Sequence, residues 1–155
     1  MSVAFRRESD EEHKEPKFEL PLPPGPNLVT ARGLAQIEAR VAEREALVQQ
    51  QLDEDALAVA QRELRYWRTR LATAQLAPLP PADEAAFGSR VTFTLNGQRK
   101  RVEIVGDDEA DPHAGLISFS APLARALIGA GPGDMADFGG RADAIEILEV
   151  GPRDA

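Results

Sequence analysis

The strongest constraint on the fold is a pattern of apolar residues spaced seven apart in the first half of the chain. The two series are Leu57, Leu64 and Leu71 and, three residues further on, Ala60, Trp67 and Ala74. Alternating steps of three and four residues place these side chains on one seam of a helix, which buries that seam against another helix. The pattern therefore predicts a helix that needs a helical partner.

The partner helix is predicted just upstream. Thr30 stands where an N-cap is expected, because a threonine hydroxyl can accept a hydrogen bond from the first turn of a helix. Apolar residues then recur on one face, at Leu34, Ile37, Val41 and Val48. Two such helices joined by a short turn form an antiparallel coiled-coil hairpin, which we predict for residues 28–76.

Three consecutive acids, Asp53, Glu54 and Asp55, mark the predicted turn of the hairpin. Negative charge is favourable at the start of a helix, where the peptide dipoles leave a partial positive charge. A solvated helix cap is therefore the favoured interpretation of the three acids. Carboxylates are also ligands of Mg²⁺, so a role in metal chemistry is the alternative.

The remaining chain divides by composition into three parts. Residues 1–27 are acidic and proline-rich without a helical or strand period, which predicts a disordered tail. Residues 77–88 contain three prolines and predict a semi-rigid linker. Residues 89–151 predict a small antiparallel sheet with one short helix, so the fold class is α+β.

The sheet prediction rests on alternation and on turn residues. Val91, Phe93 and Leu95 alternate with threonines, Asn96-Gly97 is a hairpin signal, and Val102–Val105 is the return strand. Further strands are predicted at residues 115–119, 135–138 and 144–150. Between them, Ser120 is the predicted cap of a short helix with Pro122 in its first turn and Gly129 past its end.

Composition narrows the function classes. The net charge of −8 weighs against autonomous binding to duplex nucleic acid, which depends on basic residues that neutralise phosphates. There are no cysteines and no apolar run of the roughly 20 residues that cross a membrane, so we expect a cytoplasmic protein. Arg62, Arg65 and Arg68 on the second helix indicate either a solvent face or a strip that faces an anionic partner.

Three segments of the second half carry a recognisable signature. They are Ile104-Val105-Gly106-Asp107-Asp108-Glu109-Ala110-Asp111, Leu116-Ile117-Ser118 and Ser120-Ala121-Pro122-Leu123-Ala124-Arg125-Ala126-Leu127-Ile128-Gly129. In order and spacing they resemble the C-terminal part of the GreA/GreB transcript-cleavage factors. Leu28-Val29-Thr30 before a helix with Gly33 and Leu34 is similar to the opening of that family's hairpin, and residues 65–71 resemble the returning helix of the GreB branch.

The resemblance implies an FKBP-like C-terminal domain and a monomeric accessory factor that docks at the rim of the secondary channel of RNA polymerase. The resemblance further implies that the factor has no cofactor of its own. Any Mg²⁺ used in transcript cleavage would be bound by the polymerase. The implied polymerase-binding residues are Asp107, Asp108, Glu109, Ser120, Pro122 and Arg125. Arg62, Arg65 and Arg68 are the candidates that would face the 3′ end of nascent RNA.

The hairpin departs from the family pattern, in which an Asp and a Glu three apart stand at the tip. Each arm is shorter than that pattern by about ten residues, or about 15 Å at 1.5 Å per residue. We therefore expect a short-hairpin regulator with weak or no stimulation of cleavage. The alternative is a true cleavage factor that uses Asp53 with Glu54 or Asp55. A Rnk-type regulator and an FKBP-like prolyl isomerase are less favoured.

Overall fold

The computed structural model describes residues 19–153, which form two compact units. The hairpin unit holds residues 19–25 and 35–73, and the sheet unit holds residues 26–34 and 74–153. Residues 1–18 of the predicted tail lie outside the described part of the chain. No helix within residues 19–153 is both long and apolar enough to cross a membrane.

Two helices form the predicted hairpin: α1 (Ala31–Val48) and α2 (Glu54–Thr73). The buried residues of its core are Ile37, Val41, Ala60 and Leu64. Ile37 and Val41 belong to the apolar face predicted for the first helix, and Ala60 and Leu64 belong to the two series predicted for the second, so the spacing located these buried residues correctly.

Side-chain caps mark both helix starts. The Thr30 hydroxyl accepts a hydrogen bond of 2.9 Å from the backbone N–H of Gly33. Asp53 does the same at the turn, where its Oδ1 accepts a hydrogen bond of 2.7 Å from the N–H of Ala56. Each cap satisfies a donor that the helix cannot pair internally, so both predicted caps are confirmed.

The sheet unit contains a pair of very short parallel strands, which precede α1 and follow α2 in the chain. These are β1 (Leu28–Val29) and β2 (Gln75–Leu76). The N–H of Gln75 donates to the carbonyl of Asn27 at 2.8 Å, and the N–H of Ala77 donates to that of Val29 at 3.0 Å. These hydrogen bonds hold the segments before α1 and after α2 side by side. The sequence did not predict this pairing, because strands of two residues are too short to show an alternating pattern.

The sheet unit contains a five-stranded sheet of order β5-β4-β3-β7-β6 and one short helix. The elements are β3 (Ser89–Leu95), β4 (Gln98–Val105), β5 (Leu116–Ser118), α3 (Pro122–Leu127), β6 (Met135–Phe138) and β7 (Arg141–Pro152). The turn between β3 and β4 is the predicted one, since Asn96 and Gly97 both have positive φ, as such tight hairpins require.

One strand pairing differs from the predicted antiparallel sheet. β4 and β5 run parallel, with Glu103 opposite Leu116 and Val105 opposite Ser118. The other pairings of the five-stranded sheet within residues 19–153 are antiparallel, so the sheet is mixed. Residues 106–115, which include a 3-10 turn at Pro112–Ala114, return the chain to Glu103 in the second half of β4, and a parallel pair needs such a connection.

The core of the sheet unit lies between one face of the sheet and α3. Its largest fully buried side chains include Phe93, Ile104, Leu127, Ile145 and Ile147. These residues come from β3, β4, β7 and α3, so the core joins elements that are distant in sequence. It fixes the position of the loops that follow β4 and β5.

Candidate functional site

The loop that follows β4 is held by a small network of hydroxyl and carboxylate groups. Oδ1 of Asp107 accepts hydrogen bonds from the hydroxyls of Ser118, at 2.6 Å, and Ser120, at 3.2 Å. The two hydroxyl oxygens are 2.9 Å apart. The network ties the end of β4 to the segment that precedes α3, so both parts form one surface.

The serine that was predicted to cap α3 belongs to this network instead. The N-cap position is Ala121, and no side chain caps the helix. Pro122 at the first turn lacks an N–H group, so the helix has one donor fewer to satisfy there. The Ser120 hydroxyl is therefore free of a capping role and faces Asp107.

Most of the predicted polymerase-binding residues are accessible on this surface. Ser120, Pro122 and Arg125 are exposed, and Asp107 and Asp108 are half-buried. The surface therefore combines carboxylates with a guanidinium, supported by a short helix and a hydrogen-bonded loop. Such a rigid, mixed-charge surface suits recognition of a protein.

Glu109 differs from its neighbours because its side chain is only 2% exposed. Its carboxylate accepts a hydrogen bond of 2.6 Å from the Thr30 hydroxyl and one of 2.5 Å from the guanidinium of Arg153. A buried carboxylate with these partners fastens the loop to the start of α1 and to the end of β7. It does not present a charge to another molecule.

Arg153 completes this buried cluster. Its Nε lies 2.8 Å from Oε1 of Glu103, so one guanidinium is shared by two carboxylates. Its carbonyl oxygen accepts a hydrogen bond from the guanidinium of Arg90. No local pattern in the sequence points to Arg153, because its partners lie 44 or more residues away along the chain.

Gly106 allows the close approach of β1 to the loop. A Cβ atom at this position would lie 2.3 Å from the carbonyl oxygen of Leu28. No side chain fits at that distance from backbone, which explains a glycine directly before the acids. The motif read from the sequence is thus partly a packing requirement of the sheet unit.

The acids of the hairpin tip lie at the start of α2 and are exposed. Asp53 uses one carboxylate oxygen for the helix cap. Glu54 and Asp55 are consecutive helical residues, and the side chains of such residues point about 100° apart. Residues 19–153 contain no group of three or more His, Cys, Asp or Glu residues that could hold a metal ion.

The three candidate arginines lie along α2 and have different surroundings. Arg68 forms an ion pair of 3.1 Å with Glu45 of α1, and Arg65 forms one of 2.7 Å with Glu19. Arg62 is half-buried, and its Nε makes no hydrogen bond within the described residues. We call these three arginines the basic face of α2.

Arginines of this face affect the pKa of Glu19. The hydrogen bond from Arg65 lowers the pKa of Glu19 below its ordinary range, and the charges of Arg65 and Arg62 act in the same direction. The shift favours the ionised form of the carboxylate.

An open groove of about 440 Å³ lies along the linker in the sheet unit. Its lining is mainly apolar and includes Leu76, Leu79, Phe87 and Pro152. Among the described residues that line the groove, Phe87 is aromatic. A prolyl isomerase would need a more enclosed aromatic cleft, so the groove does not favour that activity.

Comparison with known proteins points to one family. The model of the GreA/GreB transcription elongation factor C-terminal region matches residues 80–152. Transcription elongation factor GreA of Chelativorans sp. (strain BNC1) is 43% identical over 72 residues, which is 44% of this chain and 46% of the relative. GreA of Xanthomonas axonopodis pv. citri (strain 306) is 48% identical over 61 residues, covering 38% of this chain and 39% of the relative.

The match spans about half the length of these curated relatives, or less. Two solved structures are more loosely similar. GreA factor homolog 1 (Gfh1) of Thermus thermophilus has a TM-score of 0.37 and 19% identity, covering 81% of this chain and 99% of that one. GreA/GreB of Nitrosomonas europaea has a TM-score of 0.40 and 18% identity, covering 83% and 99%. Residues 80–152 of this chain are therefore similar to the C-terminal region of the GreA/GreB transcription elongation factors.

Proposed function

We propose that this protein is a transcription elongation regulator that binds RNA polymerase and has no catalytic activity of its own. The observation that carries the proposal is the GreA/GreB match over residues 80–152, which includes the hydrogen-bonded loop at Asp107 and the exposed start of α3. This surface docks at the rim of the secondary channel, and the hairpin extends toward the channel.

Within this proposal, Asp107, Asp108, Ser120, Pro122 and Arg125 make the docking surface. Glu109 acts indirectly, because its buried carboxylate holds the loop in shape. The protein acts as a monomer in a complex with the polymerase, and the basic face of α2 is directed at the 3′ end of nascent RNA.

The hairpin stimulates transcript cleavage weakly or not at all. The 18 residues of α1 extend about 27 Å and the 20 residues of α2 about 30 Å, which are short arms for reaching a distant active centre. Glu54 and Asp55 also point in different directions on α2, and Asp53 is engaged as a cap. These features favour a regulator that occupies the channel. They do not favour a cleavage factor that adds carboxylates to the polymerase active centre.

A true cleavage factor is the alternative, in which Asp53 with Glu54 or Asp55 contributes to Mg²⁺ ligation. The exposed carboxylates are of the chemical type that Mg²⁺ prefers. Since the described residues alone offer no complete metal site, the ion would be that of the polymerase. When bound, it would activate water for hydrolysis of RNA.

The test uses backtracked elongation complexes with labelled RNA, in which polymerase binding and RNA shortening are followed in the same samples. We expect binding, inhibition of an added cleavage-active factor, and little shortening of the RNA. Shortening that is lost when Asp53, Glu54 and Asp55 are replaced would establish the alternative. Absence of binding would overturn the polymerase assignment.

A matched pair of variants tests the docking surface. Arg125→Glu reverses an exposed charge on α3, and Arg141→Glu reverses an exposed charge at the start of β7. Both change the net charge by the same amount. We expect Arg125→Glu to weaken polymerase capture by about tenfold or more, as for loss of a charged contact at an interface, and Arg141→Glu to have little effect.

A further inference from the structure

We propose that residues 19–25 form an intramolecular cover over the basic face of α2, in which Glu19 occupies the position where Arg65 would bind a phosphate of RNA. This inference rests on the proposed function, because it concerns regulation of the surface there assigned to nascent RNA. The inference adds that a segment of the same chain competes with RNA for this surface.

The contact between Glu19 and Arg65 has the geometry of a bound anion. Nε of Arg65 lies 3.2 Å from one carboxylate oxygen of Glu19 and 2.9 Å from the other. Its second guanidinium nitrogen lies 2.7 Å from the latter oxygen. The planar fork of an arginine binds carboxylates and phosphates in the same way, so the side chain of Glu19 is a substitute for a phosphate at this position.

The segment that carries Glu19 is stiff. Residues 21–26 contain four prolines, and each proline ring fixes one backbone φ angle. The chain then turns at Gly25, whose φ of +85° is readily adopted by glycine, before it enters β1. A stiff segment loses less entropy than a flexible one when Glu19 is held against Arg65, which favours this contact.

The cover is weak enough to be displaced. The side chains of Arg65 and Glu19 are 49% and 64% exposed, and ion pairs this accessible to solvent contribute little. An RNA backbone presents several phosphates to Arg62, Arg65 and Arg68 together, whereas Glu19 presents one carboxylate. A strong anionic ligand therefore displaces the segment, while a weak one does not.

The experiment measures binding of a fluorescently labelled single-stranded RNA oligomer to the full chain at low salt, about 50 mM. Glu19→Gln removes the competing charge. Glu38→Gln is the matched control, because Glu38 is an exposed acid of α1 with no ion pair among the described residues. A double-mutant cycle adds Arg65→Gln with and without Glu19→Gln.

We expect Glu19→Gln to tighten RNA binding about two- to fivefold relative to Glu38→Gln, in line with loss of one exposed ion pair. The gain should disappear in the Arg65→Gln background. Equal effects of Glu19→Gln and Glu38→Gln, a gain that persists without Arg65, or absence of RNA binding in every variant would each overturn the proposal.

Polymerase capture by the same proteins separates this inference from the proposed function. Loss of polymerase binding together with the expected RNA result would overturn the function and leave the cover intact. Polymerase binding together with identical RNA affinities would overturn the cover alone.

Discussion

In the hairpin unit the ion pair between Arg68 and Glu45 lies at the surface, whereas in the sheet unit the pair between Arg153 and Glu109 is buried. The side chains of Arg68 and Glu45 are 57% and 50% exposed, while those of Arg153 and Glu109 are 7% and 2% exposed. Water screens the first pair and is nearly excluded from the second. The same residue types therefore contribute to solubility in one unit and to a specific loop conformation in the other.

The difference separates two kinds of acid that look alike in the sequence. Asp53, Glu54 and Asp55 are exposed and can change without disturbing a core. Glu109 belongs to an acidic run of similar appearance but is tied to Thr30 and Arg153. Substitutions of Glu54 and Asp55, or of Asp53 by a residue that keeps the cap, report on function, whereas substitution of Glu109 or its partners reports first on folding.

The largest effect is expected from Arg153→Met, which leaves the carboxylate of Glu109 buried without its cation. Loss of one partner of a buried pair costs about 3–5 kcal/mol. The measurement is the free energy of unfolding in urea. Arg125→Met is the control, since an exposed substitution changes stability by about 0.5 kcal/mol or less. Similar urea midpoints for the two variants would show that the cluster is not a stabilising feature.

A smaller loss is expected from Gly106→Ala, because the added Cβ meets the carbonyl oxygen of Leu28. Forcing apart closely packed groups costs about 1–3 kcal/mol. Gly151→Ala is the matched control, since a Cβ there has no atom within 4 Å. Thermal unfolding of both variants tests the expectation, and a Gly106→Ala protein as stable as the control would contradict the close approach.

At the hairpin tip, Asp53→Ala and Asp53→Asn separate capping from charge. Alanine removes the cap of α2 and should cost about 1 kcal/mol, whereas asparagine caps nearly as well as aspartate. Circular dichroism during heating measures the difference. On the proposed function, Asp53→Asn retains both stability and the effect on transcription. A stable Asp53→Asn protein that loses transcript shortening would instead favour the cleavage factor.

The smallest effect is expected from Glu45→Gln, which removes the exposed partner of Arg68. Such pairs contribute about 0.5 kcal/mol or less on a helix surface, and salt screens them further. Urea unfolding at low and high salt should show nearly the same stability as the unchanged protein. A loss of stability as large as that of Arg153→Met would contradict this expectation. It would mean that the exposed pair of Arg68 and Glu45 contributes as much as the buried pair.

Local patterns predicted the elements of the fold well. Heptad spacing located the buried residues Ala60 and Leu64, and Asn96-Gly97 located the tight hairpin. In the candidate site, the sequence identified the acids after β4 and the segment before α3, but it assigned Ser120 to a helix cap. That hydroxyl binds Asp107, because Ser118 and Ser120 lie beside the end of β4 only when β5 pairs in parallel with it.

The sequence by itself determined which segments become helix, strand and turn, because these depend on neighbours a few residues apart. It also carries the signature in residues 80–152, which is similar to the C-terminal region of the GreA/GreB factors. Only the tertiary structure decided which charges are buried, since Glu109, Thr30 and Arg153 come from distant parts of the chain. The burial of these charges depends on segments that are far apart in the sequence and meet only in the folded chain, so no local spacing encodes it.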